Sequence, residues 1–169
     1  DVVGAYIRVE GGSNGQVGLV TIGGSLVGGT SLFSGSIHAT GDIGTVKITR
    51  DLLGGDGSFS GGVKSQSKVA SVTIGGSIIG GDGSISGQLE SSSDMGDVKI
   101  AGDVRGRQQA SARIYVGGNL ASITVGGSLI GHDNQSGSIR SDGNMGTIKI
   151  TGNVQGGTLE PSQGNSGFI

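Results

Sequence analysis

The sequence predicts an all-β chain wound as a single-stranded parallel β-helix, a β-solenoid, on three observations. A motif recurs at fixed spacing: Val20-Thr21-Ile22-Gly23-Gly24-Ser25-Leu26 returns at 72–78 and 123–129. A sister motif, Val46-Lys47-Ile48-Thr49-Arg50-Asp51-Leu52, lies midway and returns at 98–104 and 148–154. Inside each unit, mostly β-branched apolar residues alternate with polar ones, the period-two sign of a strand with one buried face. Internal periodicity is read first because it decides the whole architecture.

The unit starts fall at 20, 46, 72, 98, 123 and 148, giving about six coils of 25–26 residues in two alternating flavours. Aligned units give apolar columns. One reads Val20, Val46, Val72, Val98, Ile123, Ile148, and two residues on comes Ile22, Ile48, Ile74, Ile100, Val125, Ile150. A third reads Leu26, Leu52, Ile78, Val104, Leu129, Val154, and a fourth Ile37, Val63, Leu89, Ile114, Ile139. The fifth is Val17, Ile43, Val69, Met95, Leu120, Met145. Columns that keep their chemical class are what parallel stacking of each residue on its own copy requires. Propeller blades run longer and carry aromatic signatures, and a hexapeptide coil would be narrower. The preference for right-handed crossovers predicts a right-handed coil. An isolated coil is not expected to fold, and stability should grow with coil number.

Of 169 residues, 39 are Gly and one is Pro. At that density Gly breaks helices, and its periodic placement marks corners. The net charge of −2 leaves no broad electrostatic footprint for nucleic acid or an anionic membrane. The absence of Cys excludes disulfides, thiolate metal sites and a cysteine nucleophile. Two His and no Trp argue against a histidine-rich metal site or a large aromatic platform. No apolar run reaches membrane-helix length, so no membrane insertion is expected, and no signal peptide is recognised. The chain reads as one domain over 1–169, with a degenerate coil at 1–18, regular coils at 19–157 and an irregular segment at 158–169. Within the degenerate coil, Ala5–Val9 matches the fourth-column strand.

The residue between the first two columns alternates Thr21, Lys47, Thr73, Lys99, Thr124, Lys149, which keeps like charges two rungs, about 10 Å, apart. The competing reading is a charge ladder for a ligand. Four residues after each Lys stands Asp51, Asp103 or Asn153, where the other coils have Ser25, Ser77 and Ser128. Asp56 and Asp82 share one corner of successive coils; they read as turn formers, with a shared calcium ion as the alternative. Val27, Leu53 and Ile79 form either a lateral contact stripe or covered corner residues. His38 follows an inward residue and is expected to point to solvent, and His132 lies in an unrelated column. Arg105, Arg107 and Arg113 fall in the coil that breaks the pattern; they read as a loop that tolerates polar residues, with binding of an acidic group as the alternative. No catalytic, cofactor-binding or metal-ligating residue is assigned, and no cofactor is expected.

Neither end supplies an amphipathic helix or a polar cap, and the first residue is Asp1 instead of Met. The chain is therefore expected to be cut from a longer array or to stack end to end on other copies. Val-Thr-Ile-Gly-Gly-Ser-Leu at 20–26, Ser-Gly-Ser-Ile at 34–37 and Gly-Asp-Ile-Gly at 41–44 resemble glycine-rich β-solenoid repeats. Such repeats occur in very large secreted or cell-surface proteins of bacteria, especially planctomycete-like ones. The resemblance spans nearly the whole chain and transfers no catalytic residue. It implies a non-enzymatic structural or assembly segment of an extracellular protein or fibre: a stalk, adhesin or filament whose partners are its own repeats. The runner-up is a β-helix that binds or cleaves carbohydrate, with surface polysaccharide as partner. Ice binding needs an unbroken Thr lattice, which the Lys rungs interrupt.

Overall fold

The computed structural model describes residues 1–12 and 14–157, so the segment expected to be irregular, 158–169, lies outside the described residues. The described chain is all-β, in three parallel sheets stacked as a solenoid of about six turns. Each full coil contributes one strand to each sheet. In the third coil these are Leu52–Leu53 in a short sheet, Val63–Ser65 in a middle sheet and Val69–Ile74 in a long sheet. The middle and long sheets have six strands each, and the short sheet has seven because Val154–Gln155 begins another coil.

The register is the one the columns demand. Leu26 stands on Leu52, Leu52 on Ile78, Ile78 on Val104, Val104 on Leu129 and Leu129 on Val154. The fourth and fifth columns stack equally directly, as in Ile37–Val63–Leu89 and Ile43–Val69–Met95. Tyr6–Val9 does pair with Ser36–Ala39, placing Ile7 on Ile37. Val2–Val3 adds a rung ahead of Leu26–Val27 that the motif search did not find.

Each inner coil buries at least five apolar side chains in one continuous core; in the third they are Leu52, Val63, Val69, Val72 and Ile74, all 0–1% exposed. Backbone ladders tie each rung to the next, Leu52 N–H to the Ser77 carbonyl at 2.9 Å and Ile78 N–H to the Asp103 carbonyl at 2.8 Å. Nearly every buried peptide group thus finds its partner one coil away.

The two flavours have a hydrogen-bond basis. Asp1, Ser25, Asp51, Ser77, Asp103, Ser128 and Asn153 form one column at the entrance to the short sheet. Asp51 Oδ1 accepts from the Ser77 N–H at 2.7 Å and Asp103 Oδ1 from the Ser128 N–H at 2.7 Å. In the intervening rungs, Ser77 Oγ accepts from the Asp103 N–H and Ser128 Oγ from the Asn153 N–H, both at 3.0 Å. Acceptors are needed on every rung, but a carboxylate on every rung would set like charges about 4.8 Å apart; alternation with Ser doubles the spacing. The Ser128 N–H bond, aided by Arg105, holds the Asp103 carboxyl below the ordinary carboxylate value.

Between the short and middle sheets lies a corner whose residue before a buried Ser takes a left-handed backbone. These are Phe33 (φ 59°), Phe59 (58°), Ile85 (58°), Ala110 (53°) and Gln135 (55°). Such a conformation costs about 1–2 kcal/mol for a residue other than Gly. Stacking offsets it, because loops bond to loops: Phe59 N–H reaches the Ser84 carbonyl at 3.1 Å and Ile85 N–H the Gln109 carbonyl at 3.0 Å. The following Ser closes the loop, Ser60 Oγ accepting from Gly55 N–H and Ser86 Oγ from Gly81 N–H, both at 2.9 Å.

Candidate functional site

Three outer faces carry the polar chemistry, and they differ in accessibility. On the middle sheet, Arg8, His38, Lys64, Glu90, Tyr115 and Arg140 stack in register as an outward column. The left-handed corners fold side chains back over it. Phe33 stacks on Tyr6 at 6.0 Å and on His38 at 6.2 Å between ring centroids, and against Phe59 at 5.2 Å. The expectation that His38 faces solvent is therefore wrong: it points away from the core but is only 8% exposed under the Phe33 ring. Its Nδ1 lies 3.1 Å from the Tyr6 hydroxyl, and burial, with Lys64 and Arg8 adding to it, pushes the imidazole below its ordinary value.

Further along the strip the charges pair. Glu90 takes Lys64 Nζ at 2.9 Å from the rung before and Arg113 Nη2 at 3.8 Å from the rung after. All three side chains are largely buried, and burial lowers the Arg113 pKa while Glu90 opposes the shift. Tyr115 lies between the Arg113 and Arg140 guanidinium groups, 5.0 and 5.6 Å from its centroid. Its hydroxyl donates to Asp142 Oδ2 at 2.6 Å, which raises the phenol pKa and lowers that of the carboxyl. His38 Nε2, Gln88 Oε1 and Arg113 Nε are buried in this strip without a hydrogen-bond partner among the described residues. The strip was not found from the sequence, although the class of the column one residue past Ile37, Val63 and Leu89 was readable as charged.

The second face is the flat outer side of the long sheet. The Thr21, Lys47, Thr73, Lys99, Thr124, Lys149 alternation is in register there. All three lysines are exposed, flanked by small residues such as Ala70, Ser71, Gly96 and Ala121.

The third face is the outer side of the short sheet, where Val3, Val27, Leu53, Ile79, Arg105, Ile130 and Gln155 stack. Val27, Leu53, Ile79 and Ile130 are half-buried, between the two alternatives weighed for them. Arg105 interrupts this aliphatic ladder. Around it lies a groove of about 290 Å³ lined by Ser77, Ile79, Asp103, Arg105, Arg107, Ile130 and His132. Arg105 is committed to Asp103, Nε at 2.9 Å and Nη2 at 2.7 Å from Oδ2. Arg107 and His132 occupy the same loop position in successive coils, where the earlier coils have Gly29, Gly55 and Gly81. Both are exposed, and their side chains make no hydrogen bond or ion pair among the described residues. Their backbone N–H groups are fixed by Ser111 Oγ at 2.8 Å and Ser136 Oγ at 2.9 Å. Of the three arginines grouped by the sequence, only Arg105 and Arg107 meet; Arg113 belongs to the covered strip. His132 joins them, having been assigned to no cluster.

Asp56 and Asp82 are exposed at the corner they share, and no three His, Asp or Glu side chains stand together as a metal site among the described residues. A larger concavity of about 410 Å³ is walled by Asp1 and Arg50 at the first coil. The chain matches no known family model, no curated protein and no solved structure.

Proposed function

We propose that this chain is a non-enzymatic stretch of rod, a stalk, adhesin or filament segment of a larger extracellular or cell-surface protein or fibre. One observation carries the reading: rung after rung repeats the same core and ladder columns in register, Leu26 on Leu52, Ile78, Val104 and Leu129, with the backbone groups of each coil bonded to the next. Most polar groups inside the corners are likewise spent on stacking, and the rod's mechanical role would rest on many weak identical rungs acting together. The partners in this reading are neighbouring repeats or further copies of the chain.

The test is negative-stain electron microscopy with light scattering over a concentration series. Filaments, or mass that grows with concentration, support the reading. Short rods that stay monomeric at every concentration, and gain no stability when two further coils of the same pattern are appended, overturn it. A second reading, a carbohydrate-binding β-helix, is favoured by the Arg107/His132 groove. Its catalytic form is checked by a polysaccharide turnover screen with and without calcium, in which any turnover removes the structural reading.

A further inference from the structure

We propose that the groove around Arg107 and His132 is a binding subsite for a carboxylate-bearing sugar residue of an acidic polysaccharide. The charge arithmetic is local. Arg105 is neutralised by Asp103, and Asp103 is itself saturated by the Ser128 N–H and Arg105. That leaves the Arg107 guanidinium and the His132 imidazole, carried on successive rungs of one groove, as donors with no acceptor among the described residues. A guanidinium fork with a second donor beside it matches the two oxygens of a carboxylate.

The walls select what carries the carboxylate. Ile79 and Ile130 stand one rung to either side of Arg105 and give two aliphatic surfaces for the C–H face of a ring, while the Ser77 hydroxyl offers a polar contact for a ring hydroxyl. An acidic peptide is the poorer fit. Peptides dock on sheets through unpaired strand edges, and the strands here lie inside the sheet, with Ile78, Gly80, Val104 and Gly106 N–H groups already bonded to the next coil. The lining comes from the outer face of the short sheet, the column at its entrance and the loops that follow it, so a long polymer can cross the site without threading a cavity.

The departure from the repeat is the second argument. Three earlier coils place Gly where Arg107 and His132 stand, and the same two coils alone shorten the corner loop by one residue. A solenoid that otherwise repeats its surface has changed length, charge and side-chain size together at adjacent rungs, the kind of local rule-breaking that functional sites show.

The experiment titrates the full chain with a galacturonate hexamer and with the matching neutral galactose hexamer, by calorimetry at low salt. Selective binding of the acidic hexamer is expected, weakened roughly tenfold by Arg107→Gln and several-fold by His132→Asn, the loss of one charge-assisted pair each. Lys47→Gln, on the flat face, should leave it unchanged. Both groove side chains are exposed, so circular dichroism should report intact folding of each variant. The proposal is overturned by any of four results: no binding of the acidic hexamer, equal binding of the neutral one, no loss in Arg107→Gln, or equal loss in Lys47→Gln. A glutamate hexamer that binds as tightly as the sugar overturns the saccharide assignment and leaves a general anion site.

Discussion

Coils two to four and coils five and six enclose the same core behind different corners. From the short to the middle sheet, Ile79 to Leu89 is a step of ten residues, while Arg105 to Ile114 is a step of nine. The longer loops are Gly-rich and end on Phe33, Phe59 or Ile85; the shorter ones end on Ala110 or Gln135. In a longer loop Ser60 Oγ accepts one N–H, from Gly55. In a shorter one Ser111 Oγ accepts two, from Arg107 and Gln108, and donates to the Gln108 carbonyl. The comparison teaches that the interior keeps one register throughout, whereas a single residue fewer at a corner goes with the exchange of a Phe or Ile lid for a polar, cationic surface.

The largest effect expected is at the seam between the two regions. Glu90 holds Lys64 of coil three and Arg113 of coil five, so Glu90→Ala leaves two largely buried cations without their counter-charge. It should cost about 3 kcal/mol, near the lower end for a broken buried pair because the site is partly wet. It should also separate the halves. Tyr6 lies in the first coil and Tyr115 in the fifth, so urea unfolding followed by tyrosine fluorescence and circular dichroism should change from one transition to two. Asp142→Ala, which breaks an exposed pair with Arg140 and an exposed hydrogen bond from the Tyr115 hydroxyl, should cost about 1 kcal/mol. Equal costs for the two variants would remove the seam.

The next effect breaks the equivalence of the corners. A Cβ on Gly61 would run into the Leu53 carbonyl, and its φ is 58°. Gly61→Ala should cost roughly 2–3 kcal/mol through overpacking and left-handed strain. Ala112 occupies the same column with φ 49°. Ala112→Gly should be neutral or gain up to about 1 kcal/mol in the same urea midpoint assay, strain relief set against lost burial.

Smaller again is the serine contrast. Ser111→Ala orphans two N–H groups and should cost about 2 kcal/mol, more than Ser60→Ala at about 1 kcal/mol; the reverse order in thermal melts would mean the shorter loop does not depend on its Ser. The smallest effect is pH-dependent. Burial lowers the folded His38 pKa, so the folded chain refuses a proton that the unfolded chain accepts below about 6.5. Stability present above that value should therefore decline as pH falls from about 6.5 toward the folded pKa, and His38→Phe should flatten that slope in melts between pH 7 and 5.

The inside of this molecule was legible from sequence because stacking forces a column to keep one chemical class. Val46, Val72 and Val98 give their register by chemical class alone. Val2 was missed because it precedes the first full copy of the motif. The left-handed corners had no signal, since Phe33 and Ile85 carry no preference for positive φ and adopt it only because neighbouring loops bond to them. His38 was misplaced for the same reason: alternation tells inside from outside, but not whether a corner has folded a ring over the outside. Arg113 was sorted wrongly with Arg105 and Arg107, although it directly precedes the inward Ile114 and so belongs to the next sheet. The purpose of the Asp/Ser alternation needed the N–H groups of the adjacent rung to be seen.

The column running from Asp1 to Asn153 has an arrow. At each step the side chain of the earlier rung accepts from the peptide N–H of the later one, as in Asp51 to Ser77 and Ser77 to Asp103. The rod is therefore a polar object in the sense that a magnet is, the side-chain acceptors of this column all directed one way along the axis and the peptide N–H donors the other. Two segments joined with their columns running in opposite senses would break that pairing at the joint. Any growth that preserves the column must keep every segment pointing the same way, so orientation is written into each rung and needs no separate device to enforce it.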